Sequence, residues 1–305
     1  MSAGVLFDAP GPKARRRHMI LTGFGVLLLA AVLWVVYKRL DDKGQFTAAM
    51  WKPFTDPELW KEYILPGLVG TLKAAFAGMI GATIFGVIFA MARMSQIKPL
   101  SWAAGVIVEF GRAVPVLLMM LFLYGALTRG GAEDIHAFIA TVTALVIYNG
   151  SVVAEVIRSG VDQLPKGQRE AGVAIGLTDS QTLRSILLPQ AVTAMLPTLI
   201  SQLVVILKDT ALGYQVQYGE MLYKGKNAST IFANIVPTLI VIGTIYILLN
   251  YAISKVAVLA EKWLQNRGRA AEDGAQGGGP AGGVTAGVAT VGAPGVDLAV
   301  HNKQV

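Results

Sequence analysis

Long apolar stretches alternate with short polar segments along most of this chain, and each stretch is long enough to cross a bilayer. Met19–Tyr37 carries no charge; at about 1.5 Å per residue it reaches roughly 28 Å, close to the hydrocarbon thickness. Ile64–Ala92, Leu100–Leu127, His136–Ile157, Pro189–Leu212 and Ile231–Leu259 predict five further spans. The first span follows a basic leader with Lys13, Arg15, Arg16 and Arg17, as a signal peptide would. It is long for the apolar core of such a peptide, and no small-x-small cleavage site follows, so it reads as an uncleaved helix. The pattern predicts an all-α membrane protein with six transmembrane helices.

The segments between the spans set the organisation. Residues 1–18 form a polar leader, 19–37 the first helix, and 38–63 an exterior segment with Trp51 and Trp60 as interfacial aromatics. Residues 64–260 hold the other five spans, with a polar loop at 158–188. Residues 261–305 become rich in Gly, Ala and Val without periodicity and predict a mostly disordered tail. Lys and Arg divide 15 against 8 in favour of the leader's side. The positive-inside rule then places both termini and the 158–188 loop in the cytoplasm.

In the second span, Gly70, Ala74, Gly78, Ala82, Gly86 and Ala90 recur every fourth residue. Such a row lets two helices approach closely in lipid. It reads as ordinary bundle packing or as a sliding seam; a leucine at Gly78 would disturb either.

Composition agrees with a lipid environment. Of the 305 residues, 54% are hydrophobic and 15% charged, too little polar surface for a water-soluble globule. The net charge of +7 falls at segment ends, which argues against nucleic acid and for membrane topology. There is no cysteine, and His18, His136 and His301 lie far apart, so neither disulfides nor a metal-ligand spacing is present.

The loop at 158–188 has its own grammar. Pro165 and Gly167 open it with turn chemistry, and Gln168–Ile175 contains good helix formers. Gly176 can take a left-handed conformation and end that helix. Asp179 or Ser180 can cap a second one, which runs until Pro189 stops it. The result is helix, glycine corner, helix, with apolar Val173, Ile175, Leu177 and Leu183 available to a partner. A DNA-binding helix-turn-helix has a similar outline, but roughly 30 residues between membrane helices cannot support its three-helix domain. A plain connector would not require Glu170-Ala171, Gly176 and Ile186-Leu187-Leu188-Pro189 together.

That combination resembles the coupling loop of ABC-importer permeases, and the flanking residues resemble the polar amino-acid permeases. Phe110-Gly111-Arg112-Ala113-Val114-Pro115, Ala154-Glu155-Val156-Ile157-Arg158, Leu164-Pro165-Lys166-Gly167-Gln168-Arg169-Glu170-Ala171 and Leu207-Lys208-Asp209-Thr210-Ala211-Leu212 are similar to that family's motifs. The resemblance covers about Leu65 to Ala260. The leader and first span look like the glutamate-type permeases of actinobacteria. The resemblance implies a type I importer permease, with a MetI-like core of five helices plus the extra N-terminal helix. It implies import of a polar amino acid, glutamate or another acidic one, across a bacterial cell membrane by alternating access.

The implied partners are an ABC ATPase dimer carrying ATP and Mg, a second permease subunit (identical or related), an extracytoplasmic amino-acid-binding protein, and membrane lipid. The implied ATPase-coupling residues are Glu170, Ala171, Gly172, Gly176, Leu177, Ile186, Leu188 and Pro189. Two positions depart from the pattern. Gly172 stands where alanine is usual, which would loosen the first coupling helix by about 1 kcal/mol. Ala211 replaces a usual serine.

Charges inside spans are costly unless paired or wetted. Lys73, Glu109, Arg112, Lys208 and Asp209 are such charges. Lys73, Arg112, Lys208, Asp209 and the adjoining Thr210 are the candidate substrate path, against a reading in which they are internal pairs or snorkel to the interface. Glu155 and Arg158, three apart on a helix, form a candidate structural pair.

No catalytic chemistry is legible. Gly219…Gly225-Lys226-Asn227 misses a P-loop by one residue of spacing, and Asn stands where Ser or Thr would hold Mg²⁺. Without its own cofactor or nucleotide site, the chain reads as a transport subunit and not an enzyme. The alternative is an ion-coupled secondary transporter or channel that needs no ATPase.

Overall fold

The computed structural model describes the backbone of residues 11–128 and 133–276, and side chains over 11–128 and 135–259. Among the described residues there are helices and no strands. The main ones are α1 Pro12–Asp42, α2 Pro57–Arg93, α3 Lys98–Ala113, α4 Val116–Leu127, α5 Glu133–Asp162, α6 Lys166–Ala174, α7 Asp179–Val216, α8 Met221–Ile231 and α9 Ile235–Gln276. Helix α1 thus begins inside the leader expected at 1–18 and runs past Tyr37. Its apolar residues are exposed except for half-buried Ala14 and Leu40, and none is buried, as befits a helix whose surroundings are lipid. Helix α9 continues to Gln276, so the tail expected to be disordered from 261 is helical over its first part; 277–305 lies outside the described residues. The chain divides into two units after Lys262, and everything below concerns the first.

Helices α2 and α5 form the centre. A Cβ added at Gly78 would meet Leu145, one at Gly81 would meet Val146, and one at Gly86 would meet Val153. Ascending numbers pair with ascending numbers, so the two helices run parallel. The small-residue row expected to be a close seam is therefore spent within the chain: Ala74, Gly78, Ala82, Gly86 and Ala90 are buried.

Two parallel crossings need a return between them, and α3 with α4 supplies it. These helices are bent by 100°, where Val114 is extended ahead of Pro115. Proline's ring disfavours a helical residue before it, which explains the break. The expected third span, Leu100–Leu127, is corrected accordingly: it is one crossing made of two pieces. Counted this way the chain has six crossings, five of them after α1.

Helix α7 runs antiparallel to α5. Gln202 donates to Asn149 at 2.6 Å, and a Cβ on Gly160 would meet Met195. Residues Leu59, Ile64, Met221, Ala228 and Ile242 pack a second cluster at the end of the bundle opposite the 158–188 loop. These two ends are called the loop end and the far end below.

Candidate functional site

At the loop end, α6 stops in a Schellman motif. Leu177 N–H donates to Gly172 O at 3.1 Å and Gly176 N–H to Val173 O at 2.9 Å. Gly176 has φ +84°, the left-handed region where a side chain is strained. The second coupling helix is capped by Thr178 and not, as expected, by Asp179 or Ser180. The Thr178 hydroxyl accepts from Gln181 N–H at 3.3 Å, and Gln181 Oε1 accepts from Thr178 N–H at 2.8 Å. This reciprocal box satisfies two end donors at once.

Pro189 does not end that helix either. Residues Leu183–Leu187 form a π turn, with Leu188 N–H reaching back to Leu183 O, and α7 continues through Pro189 into the membrane. The wider turn accommodates a residue that cannot donate. The same arrangement recurs at Trp60–Ile64 ahead of Pro66. The helix that begins at Asp179 and the fifth crossing are therefore one continuous rod.

The eight expected coupling residues separate into two groups. Glu170, Ala171 and Gly176 are exposed, and beside them Val173 and Ile175 expose 53% and 75% of their surface. Gly172, by contrast, is buried. Ile186 is half-buried against the cluster that holds Val161, Leu183 and Leu187, Leu188 is half-buried against the one that holds Val108, Val153 and Ile157, and Pro189 is exposed. Ile186 and Leu188 therefore anchor the loop while the Glu-Ala part is presented. Leu177 is half-buried between them.

Next to the loop, six charged side chains join α2, α3 and α5. Glu155 accepts from Arg93 at 2.6 Å and from Arg158 at 2.7 and 3.2 Å. Arg112 lies 3.5 Å from Glu109 and 3.9 Å from Glu155. Arg93 also reaches Glu109 at 3.3 Å, and Arg158 reaches Asp162 at 2.6 Å. Arg93 and Glu109 were not legible as partners because they lie on other helices than Glu155, whereas Asp162, four residues after Arg158, stood at a legible pair spacing. The bend before Pro115 takes Arg112 out of the mid-membrane position expected of it and puts it at the loop end.

The remaining path candidates lie elsewhere. Lys73 lines a far-end cavity of about 560 Å³ with Pro66, Phe138, Tyr218 and Lys224. Lys208 is exposed on α7, and Asp209 is half-buried beside Asn149. Thr210 is fully buried, its hydroxyl donating to Leu207 O at 2.6 Å; this donor is committed to the backbone. Lys73, Arg112 and Lys208 thus occupy three separate places.

The far end also holds an acid that the spacing of charges did not single out. Glu220 is fully buried and caps α8, accepting from Leu222 N–H at 2.8 Å and Tyr223 N–H at 2.7 Å. Tyr246 donates its hydroxyl to the same carboxyl at 2.7 Å. Burial nonetheless pushes the Glu220 carboxyl up to about 7. Its position just ahead of a helical run was the available sequence signal.

Apolar helices long enough to cross a membrane, with a two-helix polar handle on a continuous rod, define an all-helical membrane domain. Residues 82–266 match the family described as "Binding-protein-dependent transport system inner membrane component", and the chain belongs to it. It is 45% identical over 228 residues to the glutamate transport system permease protein GluD of Corynebacterium glutamicum, covering 74% of this chain and 84% of that one. It is 32% identical over 177 residues to the glutamate/aspartate import permease protein GltK of Escherichia coli O157:H7, covering 55% and 77%. A solved structure described as an amino acid ABC transporter with histidines superposes with a TM-score of 0.60 at 31% identity, over 65% of this chain and 92% of that one. The family is that of bacterial inner-membrane importer permeases, which agrees with the crossings seen here.

Proposed function

We propose that this chain is the permease subunit of an importer of acidic amino acids, worked by a separate ATPase that binds ATP and Mg. The observation that carries the reading is the exposed Glu170–Ile175 face on a handle continuous with α7. An ATPase dimer offers two clefts, so two permease chains pair, and each presents one handle. Closure of the ATPases moves both handles and rocks the bundles between outward and inward states. The loop end is cytoplasmic and the far end faces an extracytoplasmic binding protein.

Two features support an acidic substrate. GluD and GltK carry glutamate or glutamate and aspartate in their names. The far-end cavity presents the cations Lys73 and Lys224, which favour an anionic side chain over a cationic one. Lys208 and Asp209 are proposed to continue the path, where a zwitterion can meet both signs. Arg112 is assigned to the charge cluster instead.

Reconstitution tests this. Proteoliposomes containing this chain, its paired permease and the ATPase should take up labelled glutamate only with ATP inside and binding protein outside. Uptake by the chain alone, driven by an ion gradient, would overturn the reading.

A further inference from the structure

A second cavity, about 490 Å³, lies at the loop end between the α2–α3 connection and the coupling helices. One wall is apolar, from Met91, Met94, Ile97 and Leu100; the other carries Arg169 and Arg184. Among the described residues neither arginine forms an ion pair. Asp179 is the single carboxylate in the lining, so the wall keeps a net positive charge. Guanidinium groups match phosphate oxygens in a bidentate way.

The apolar wall identifies the rest of the ligand. Ile97 and Leu100 expose 62% and 46% of their surface at the start of α3, where Arg93 and Lys98 mark the headgroup level. A free phosphate would use the arginines and leave these side chains uncovered. A diacyl phosphate uses both walls. We propose that this cleft binds one anionic phospholipid, with its phosphate on Arg169 and Arg184 and an acyl chain along Ile97 and Leu100.

The consequence for coupling rests on the proposed role of the handle. Arg169 belongs to α6 and Arg184 to the π turn of α7, while Ile97 and Leu100 belong to the fixed part of the bundle. A lipid between them bridges the moving handle and the membrane domain. Occupancy would therefore set how firmly handle motion is passed on.

Native mass spectrometry of the purified full complex tests the site, using nanodiscs of phosphatidylcholine with phosphatidylglycerol. Wild type should retain phosphatidylglycerol selectively. Each of R169Q and R184Q should lower retention about fivefold and the double variant about thirtyfold, as expected for basic residues at a membrane surface. R184K should retain more than R184Q. Thermal unfolding in pure phosphatidylcholine shows that the variants are folded. Equal retention by the double variant would overturn the site. Protection of the cleft by millimolar inorganic phosphate as effectively as by phosphatidylglycerol would show a free-anion site and overturn the lipid assignment. Retention is read on the permease whether or not the ATPase stays bound, so loss of the ATPase would count against the coupling reading alone.

Discussion

Gly172 lies directly under the side chain of Thr182, where α6 crosses the start of α7. A Cβ on Gly172 would stand 2.6 Å from Thr182 Cγ2 and 2.7 Å from its Oγ1. The glycine therefore does not loosen the handle, as its low helix propensity alone implied; it lets the two coupling helices touch. The Thr182 hydroxyl is buried there without a hydrogen-bond partner. G172A should destabilise the handle by about 1–3 kcal/mol through overpacking. T182A should be neutral or stabilising, since it removes an orphaned hydroxyl, and G172A/T182A should recover most of the loss. Thermal unfolding and hydrogen exchange over 166–188 measure this. A G172A variant as stable as wild type would show that the crossing has room to spare.

Glu155 is shared by Arg93 and Arg158, with Arg112 nearby. Removing the carboxylate leaves three guanidinium groups around one vacancy, whereas removing any one arginine leaves the carboxylate paired. E155A should therefore cost more than R158A, with about 1–2 kcal/mol for E155A given the partial exposure of the pairs. The Arg158 hydrogen bond, helped by the nearby positive charges, is what a lone i,i+3 pair would supply. The Arg93 link across helices makes the cluster a brace. Denaturation midpoints of the two variants decide the order, and R158A being the more damaging would refute it.

Much of this was legible in the sequence, and the misses have a common physical origin. Gly176 announced its left-handed corner because only backbone conformation was at stake. The small-residue row announced close packing, but not its partner, because periodicity describes one helix at a time. Pro189 reads locally as a stop, yet the π turn before it removes the conflict and makes a rod. Pro115 reads as a kink, while its 100° consequence relocates Glu109 and Arg112. Long-range pairs such as Arg93–Glu155 and Glu220–Tyr246 depend on the parallel course of α2 and α5 and on the approach of α9. No local pattern encodes either.

The glycine row is not uniform. A Cβ on Gly86 would come 2.3 Å from Val153 Cγ1, whereas one on Gly78 would come 3.2 Å from Ile206 Cγ2. G86A should therefore destabilise by about 1–3 kcal/mol and G78A by less. V153A should restore part of the G86A loss by opening the α2–α5 contact. Melting curves of the detergent-solubilised chain rank the variants. If G78A proves worse than G86A, the packing order of this seam is wrong.

Glu220 couples stability to pH. Its folded carboxyl stands near 7 against 4.5 unfolded, so the folded state holds the proton more tightly. The stabilisation is complete below about 4.5 and is lost as pH rises through about 7. At about 1.4 kcal/mol per unit of pKa, the loss amounts to about 3–4 kcal/mol. Unfolding midpoints should fall between pH 5 and 8 in wild type and lose that component in E220Q. An E220Q profile with the wild-type slope would assign the dependence to another group.

Val173 and Ile175 are apolar, exposed, and remote from the bundle core. Nothing in this chain gains from leaving them in water, so their cost is recovered only when a partner covers them. Ile175 sits one residue ahead of the Gly176 corner, at the tip of the handle, and under the proposed function a charge there would be buried unpaired in the ATPase cleft. I175D should release the ATPase during purification and abolish ATP-dependent uptake, while the melting temperature of the permease itself stays within a few degrees of wild type. I175L should keep the ATPase, because shape and polarity are nearly conserved. G176A should fall between them, since a side chain at φ +84° strains the corner without removing the apolar tip. Co-purification yields in that order would locate the grip on α6. An I175D complex that keeps its ATPase and transports normally would place the grip elsewhere on the loop.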